Sequence, residues 1–121
     1  MNGLDLLAPD HRGLFIAGRW RDAGDGGRLD VLDPADGSVL TDVADGTLAD
    51  ATAALDAAVE AQRDWARTAP RERGDVLRRA YDLVQERADD IAHLMSLEMG
   101  KTVKEARGEV AYGSEFLRWF S

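Results

Sequence analysis

A change of apolar period at Thr47 limits what this chain can become more than any other feature. Before Thr47, apolar residues come in short runs broken by turn formers. After it, they recur at three- and four-residue steps. Side chains alternate across a strand and return to one face of a helix every 3.6 residues. The order of elements is therefore short strands first and helices afterwards, an α+β chain.

In the first part, "LFIAGRWRD" carries apolar and aromatic residues on both sides of Ala17-Gly18, which predicts a tight hairpin. "GDGG", Gly24 to Gly27, is a flexible turn. "RLDVLDP" reads as a strand stopped at Pro34, "PADG" as a turn, and "SVLTDVADG" as a further short strand. Strands this short, joined by turns, are expected to pair antiparallel.

In the second part, Leu48, Ala51, Leu55, Ala58, Val59 and Trp65 share one helix face. Thr47 can cap that helix, with Asp50 at its positive end. Pro70 opens a second helix, since a first-turn proline gives up no intrahelical bond. Its stripe is Val76, Leu77, Ala80, Val84, Ala88, Ile91, Leu94 and Met95, and the pattern leaves open an unbroken run to Met99 or a kink between Arg87 and Asp90. Three or four helices follow accordingly. Gly74 has no evident reason to stand in the first turns.

Gly100 stops this segment, and "TVKE" is a capping box in which Thr102 and Glu105 satisfy each other's backbone. The last helix is apolar on two sides. Val103, Ala106, Val110, Leu117 and Phe120 make one face, and Tyr112, Phe116 and Trp119 the other. The preceding elements have surface enough for one of them.

Composition narrows the function. A net charge of −8, with arginines interleaved among acids as in "PRERGDVLRR", excludes the basic stripe that nucleic acid needs. With no cysteine, disulfides, Cys-ligated zinc and a thiolate nucleophile are all excluded within this chain. No window reaches the roughly 18 apolar residues of a membrane span, and "MNGLDLLAPDHRG" lacks the plan of a signal peptide. A cytoplasmic location is expected.

The individual motifs are weak. "GKT" at Gly100–Thr102 ends like a phosphate-binding loop, but the glycine and strand that must precede it are missing. "GDGG" lacks the helix and following acid of a dinucleotide turn. His11 and His93 are isolated, and Ser114 and Ser121 have no visible base. Asp89, Asp90, Glu105 and Glu109 cluster without an evident cleft, so no catalytic, cofactor-binding or metal-binding residue is assigned.

From Leu14 onward, "LFIAGRWRDA", "LDVLDPADGSVL" and "AQRDWARTAPRERGDVLRRAYDLVQERADDIAHLMSLEMGKTVKEARGEVAYGSEFLRWF" resemble, in order and spacing, the amino-terminal part of an aldehyde dehydrogenase. Within that superfamily the likeness is to the bacterial NAD(P)-dependent succinate-semialdehyde dehydrogenases. Asp33-Pro34 departs from the usual Asn-Pro, and Ala69 stands where many relatives have a Ser or Thr cap.

The resemblance implies that residues 14–121 are the outer part of the cofactor-binding domain of an α/β enzyme, truncated before the catalytic domain, after a flexible stretch at 1–13. It implies NAD or NADP in a full-length relative and none for this chain alone. The family's cysteine nucleophile, deacylating glutamate and cofactor turn match nothing here. Phe116 and Trp119 are the candidates for lining the substrate passage, with packing as the plainer reading. Partners would be the remainder of the enzyme, or a second copy through the apolar last helix; full-length relatives are homo-oligomers. One half of a split enzyme, or a non-catalytic interaction module, are the alternatives. Neither nucleic acid nor membrane is expected as a partner.

Overall fold

Ala17 and Gly18 both take positive φ, 52° and 78°, as the two central residues of a hairpin turn with the right twist must. The turn joins β1 (Leu14–Ile16) to β2 (Arg19–Arg21) antiparallel, with Phe15 opposite Trp20. Their rings lie 5.2 Å apart, and His11 packs on the same indole at 5.1 Å. The computed structural model describes residues 11–121. These form two compact units, which divide after residue 67.

The unit up to residue 67 holds a second two-stranded sheet, β3 (Arg28–Leu32) with β4 (Val39–Ala44), antiparallel and irregular in register between Val31 and Leu32. The connection between them is built from side chains. Asp33 accepts from the Ala35 N–H and Asp36 from the Ser38 N–H, at 2.8 and 2.9 Å, and Gly37 supplies a φ of 76°. Arg28 grips Asp42 across the ladder through Nε, at 2.6 Å. The Ala44 N–H donates to the Arg12 carbonyl at 2.9 Å. Of the stretch expected to be flexible, residues 1–10 lie outside the described residues.

Helix α1 (Leu48–Trp65) starts on a complete capping box, Thr47 with Asp50. It packs on β1, and among the described residues of this unit Ile16, Ala23, Thr41 and Asp50 are buried. The expected apolar stripe forms, yet Leu48, Leu55 and Val59 on it are exposed.

In the second unit, Pro70 occupies the first turn of α2 (Pro70–Glu86), and Ala69 gives no side-chain cap. Arg87, at φ −113° and ψ 14°, breaks the run, so a separate α3 (Ala88–Met99) follows and the helices among the described residues number four. Gly100 closes α3 with a φ of 71°, the left-handed conformation glycine takes freely. Helix α4 (Val103–Trp119) then folds back on α2 and α3. Ala92 and Ala106 are completely buried, and with Val110 they make the core. Val84, Ala88, Ile91 and Met95 pack around it. Small residues at the crossing let the helix backbones approach closely. Gly74 now has its reason: a Cβ there would stand 3.2 Å from the carbonyl carbon of Ser121.

Candidate functional site

Helix α4 is fixed at its start and along its back, which leaves one long face outward. At the start, Thr102 Oγ1 accepts from the Glu105 N–H at 3.2 Å. Glu105 Oε2 in turn accepts from the Thr102 hydroxyl and N–H, at 2.8 and 3.2 Å. Those two bonds, the hydroxyl first, hold the Glu105 carboxyl below its ordinary value. Along the back, Ala106, Val110 and Ser114 are buried. Ser114 Oγ donates to the Ala111 carbonyl at 3.0 Å and accepts from Gln85 Nε2 at 2.8 Å, so it is a tie to α2 and not a free nucleophile.

The outward face carries Tyr112, Phe116, Trp119 and Phe120, exposed to 70%, 53%, 80% and 68%. Tyr112 and Phe116 meet edge to face with centroids 5.3 Å apart. Together with Glu115 these four line an open cavity of about 330 Å³. Glu115 is held in a charge-assisted fork, since Arg118 donates to it through Nε and a terminal nitrogen at 2.9 and 2.6 Å. Phe120 was expected on the covered side with Val110 and Leu117; it belongs to the outward strip. The strip offers aromatic surface and one paired carboxylate. It has the chemistry of a docking or lining surface and no group poised for catalysis.

The other sequence candidates resolve into structural roles. Lys101 of "GKT" binds Glu109 at 2.5 Å, and its carbonyl accepts from Ser96 Oγ at 2.6 Å, so the motif is a helix stop and restart. The turn Gly24–Gly27 leads into β3 and not into a helix N-terminus, so it offers no cradle for a dinucleotide's phosphates. His93 Nδ1 lies 2.8 Å from the Asp89 carbonyl, one turn back on its own helix. Among the described residues, no group of three or more acids and histidines could hold a metal ion. No helix among them is long and apolar enough to cross a membrane.

Sequence reasoning missed the part played by Asp50. Only 3% exposed, it accepts from the Gly24 N–H at 2.9 Å, the Thr47 N–H at 3.0 Å and the Thr47 hydroxyl at 2.8 Å. The Arg21 guanidinium completes the set. The Gly24 N–H and then Thr47 hold its carboxyl far below the usual carboxylate range. A carboxylate so fully satisfied is a fixed charge and not a proton carrier. The signal was half present, since Thr47-x-x-Asp50 is itself a capping box. Arg21 and Gly24 stand too far back in the chain for periodicity to join them to it.

Residues 20–121 match the aldehyde dehydrogenase family. The succinate-semialdehyde dehydrogenase of Paenarthrobacter nicotinovorans is 64% identical over 83 residues, which are 69% of this chain and 18% of that protein. The NADP(+) succinate-semialdehyde dehydrogenase of Escherichia coli K12 is 41% identical over 107 residues, 88% of this chain and 22% of that one. The solved succinate-semialdehyde dehydrogenase of Burkholderia pseudomallei superposes with a TM-score of 0.83 at 38% identity, covering 86% of this chain and 22% of that one. The chain thus spans about a fifth of the length of these relatives, at their amino-terminal part.

Proposed function

Because this chain belongs to the aldehyde dehydrogenase family, we propose that it serves as the amino-terminal segment of an NAD(P)-dependent enzyme that oxidises succinate semialdehyde to succinate. The 64% identity to the Paenarthrobacter enzyme is the observation that carries this reading. The described residues form no dinucleotide cradle and the chain has no cysteine, so its contribution is scaffold. It supplies the strands and helices that pack around a cofactor-binding domain, and Phe116 and Trp119 line the approach to the substrate in the assembled enzyme. Their exposure on α4 supports that role. NAD or NADP belongs to the whole enzyme, and a cytoplasmic location goes with this reading.

The test is a graft. Residues 14–121 replace the matching stretch of the Paenarthrobacter enzyme, and kcat/KM is measured on succinate semialdehyde, acetaldehyde and betaine aldehyde. Succinate semialdehyde should remain the preferred substrate, while the 121-residue chain by itself reduces neither cofactor. Equal or better turnover of the short or cationic aldehyde by the graft would remove the substrate assignment, and cofactor reduction by the isolated chain would remove the scaffold reading.

A second reading concerns partners. Four exposed aromatic residues on one helix face favour a surface that is covered in use, by the remainder of the enzyme or by a second copy.

A further inference from the structure

We propose that Asp45-Gly46 is a self-modifying site, at which the Gly46 nitrogen closes on the Asp45 side chain and converts the aspartate to isoaspartate between β4 and α1. The reaction needs no partner, cofactor or catalytic group, so it stands apart from the enzymatic reading.

Asp-Gly occurs three times among the described residues, at Asp25-Gly26, Asp36-Gly37 and Asp45-Gly46. Glycine favours the closure because no Cβ shields its nitrogen and its φ is free to change. To form the ring, the peptide plane after the aspartate must turn until its nitrogen faces the side-chain carboxyl carbon. At two of the sites that plane is held. The Gly26 N–H donates to the Ala23 carbonyl at 2.9 Å, and the Gly37 N–H to the Asp33 carbonyl at 2.8 Å. The carboxyls are held as well, since Asp25 accepts from the Gly27 N–H at 2.8 Å and Asp36 from the Ser38 N–H at 2.9 Å. Ser38, its hydroxyl first, also keeps Asp36 below its ordinary value, in the carboxylate form that a nitrogen attacks poorly.

The plane between Asp45 and Gly46 is different. Its N–H, its carbonyl and the Asp45 carboxyl have no hydrogen-bond partner among the described residues. Both its ends are nevertheless fixed. The Asp45 N–H donates to the Gly27 carbonyl at 2.9 Å, and Thr47 is tied to Asp50 through its N–H and hydroxyl. A free plane between two anchored ends can turn like a crank, with Gly46 absorbing the change in φ, and no bond is lost. The difference between the sites lies in hydrogen bonds inside one unit and not in open surface.

The step balances without a co-reactant. The Gly46 nitrogen bonds to Asp45 Cγ, the Cγ–OH bond breaks, and the hydroxyl leaves with the amide proton as water. Water then opens the resulting succinimide. Attack on the original main-chain carbon leaves the chain running through Cβ and Cγ, which is isoaspartate, with no net change of mass. The added main-chain carbon falls two residues before Thr47, so it disturbs the box that starts α1.

The test keeps the full chain folded, as checked by circular dichroism, in neutral and in mildly acidic buffer. Isoaspartate is read at each site by electron-transfer fragmentation of the digested chain. Asn2-Gly3 forms the same linkage by losing ammonia, so the reading must be made site by site. Isoaspartate should build up at Asp45 roughly five times faster than at Asp25 or Asp36, the effect of about one retained hydrogen bond. All three should react faster in the acidic buffer, where more of each carboxyl is neutral, and their rates should draw together in urea. Gly46→Ala, whose Cβ would stand 3.4 Å from the Leu14 side chain, should remove the signal at Asp45 and leave the other two unchanged. Equal rates in the folded chain, or a slower one at Asp45, overturn the proposal, and a difference that survives in urea overturns its structural cause. In the isoaspartyl fraction, hydrogen exchange should show lost protection in the first turn of α1; unchanged protection there overturns the effect on the cap.

Discussion

The two units of this chain are held together by different means. The helical unit relies on close contact between small apolar side chains, Ala92 and Ala106 with no exposed surface and Val110 beside them. Among its described residues the strand-and-helix unit has two buried aliphatic side chains, Ile16 and Ala23, and its most connected buried group is a carboxylate, Asp50. Burial of apolar surface is indifferent to pH and to the removal of one hydrogen bond. A buried carboxylate is sensitive to both. One short chain therefore contains a unit that acid or a single polar substitution should loosen most, and another whose core answers chiefly to a change of volume.

The largest effect is expected at Asp50. Asp50→Ala strands the Gly24 and Thr47 N–H groups and the Arg21 guanidinium. It should remove most of the amide protection in β1, β2 and the first turn of α1 while leaving α2 to α4 protected, as read by hydrogen exchange. Acid should reproduce the pattern. Asp36, Asp42 and Asp50 all sit below their ordinary value of 3.8 in the folded unit. Below that pH the unfolded chain takes up protons that the folded one refuses. The stability these groups give is complete above pH 3.8 and drains away as the pH falls further. Glu105 acts in the same sense in the helical unit, from 4.5 downward. Exchange at graded pH that melts α3 and α4 before the strands would reverse the comparison.

A smaller effect, confined to the other unit, is expected at Val110. Removing two buried methyl groups should cost about 2 kcal/mol, so thermal melting of Val110→Ala should fall with no change in acid sensitivity. The smallest is Thr102→Ala, which deletes the cap of α4 at a cost of about 1 kcal/mol. It should appear as fraying of the first turn of α4, with the Ala92–Ala106 contact intact. Loss of the whole helical unit on that substitution would mean that the cap, and not the core, organises it.

Much of this division was legible in the amino-acid sequence. Pro70, Gly100 and the Thr102–Glu105 box announce their helix ends because the chemistry of a helix terminus is local. Ala17-Gly18 announces its hairpin for the same reason. The outward aromatic strip was readable at Tyr112, Phe116 and Trp119, although Phe120 was placed on the wrong side, since the last turn lies at the edge between the faces. What escaped was whatever depends on distant parts of the chain. Asp50 looked like a dipole partner until Arg21 and Gly24 came beside it. Gly74 looked costly until Ser121 came beside it. The break at Arg87 shows in backbone angles alone, since the apolar stripe continues through it.

The sheet connectivity also governs how quickly order can arise. Every strand pairs with its neighbour in sequence, β1 with β2 and β3 with β4, so no sheet waits for a distant segment to arrive. Hairpins of this kind close in about 1–10 μs, and each helical turn closes faster still. Two longer closures remain, Arg21 and Gly24 on Asp50 in one unit and the return of α4 across α3 to α2 in the other, where Gln85 finds Ser114. The rate of folding should therefore respond to substitutions at those two closures more than to those in the hairpin turns.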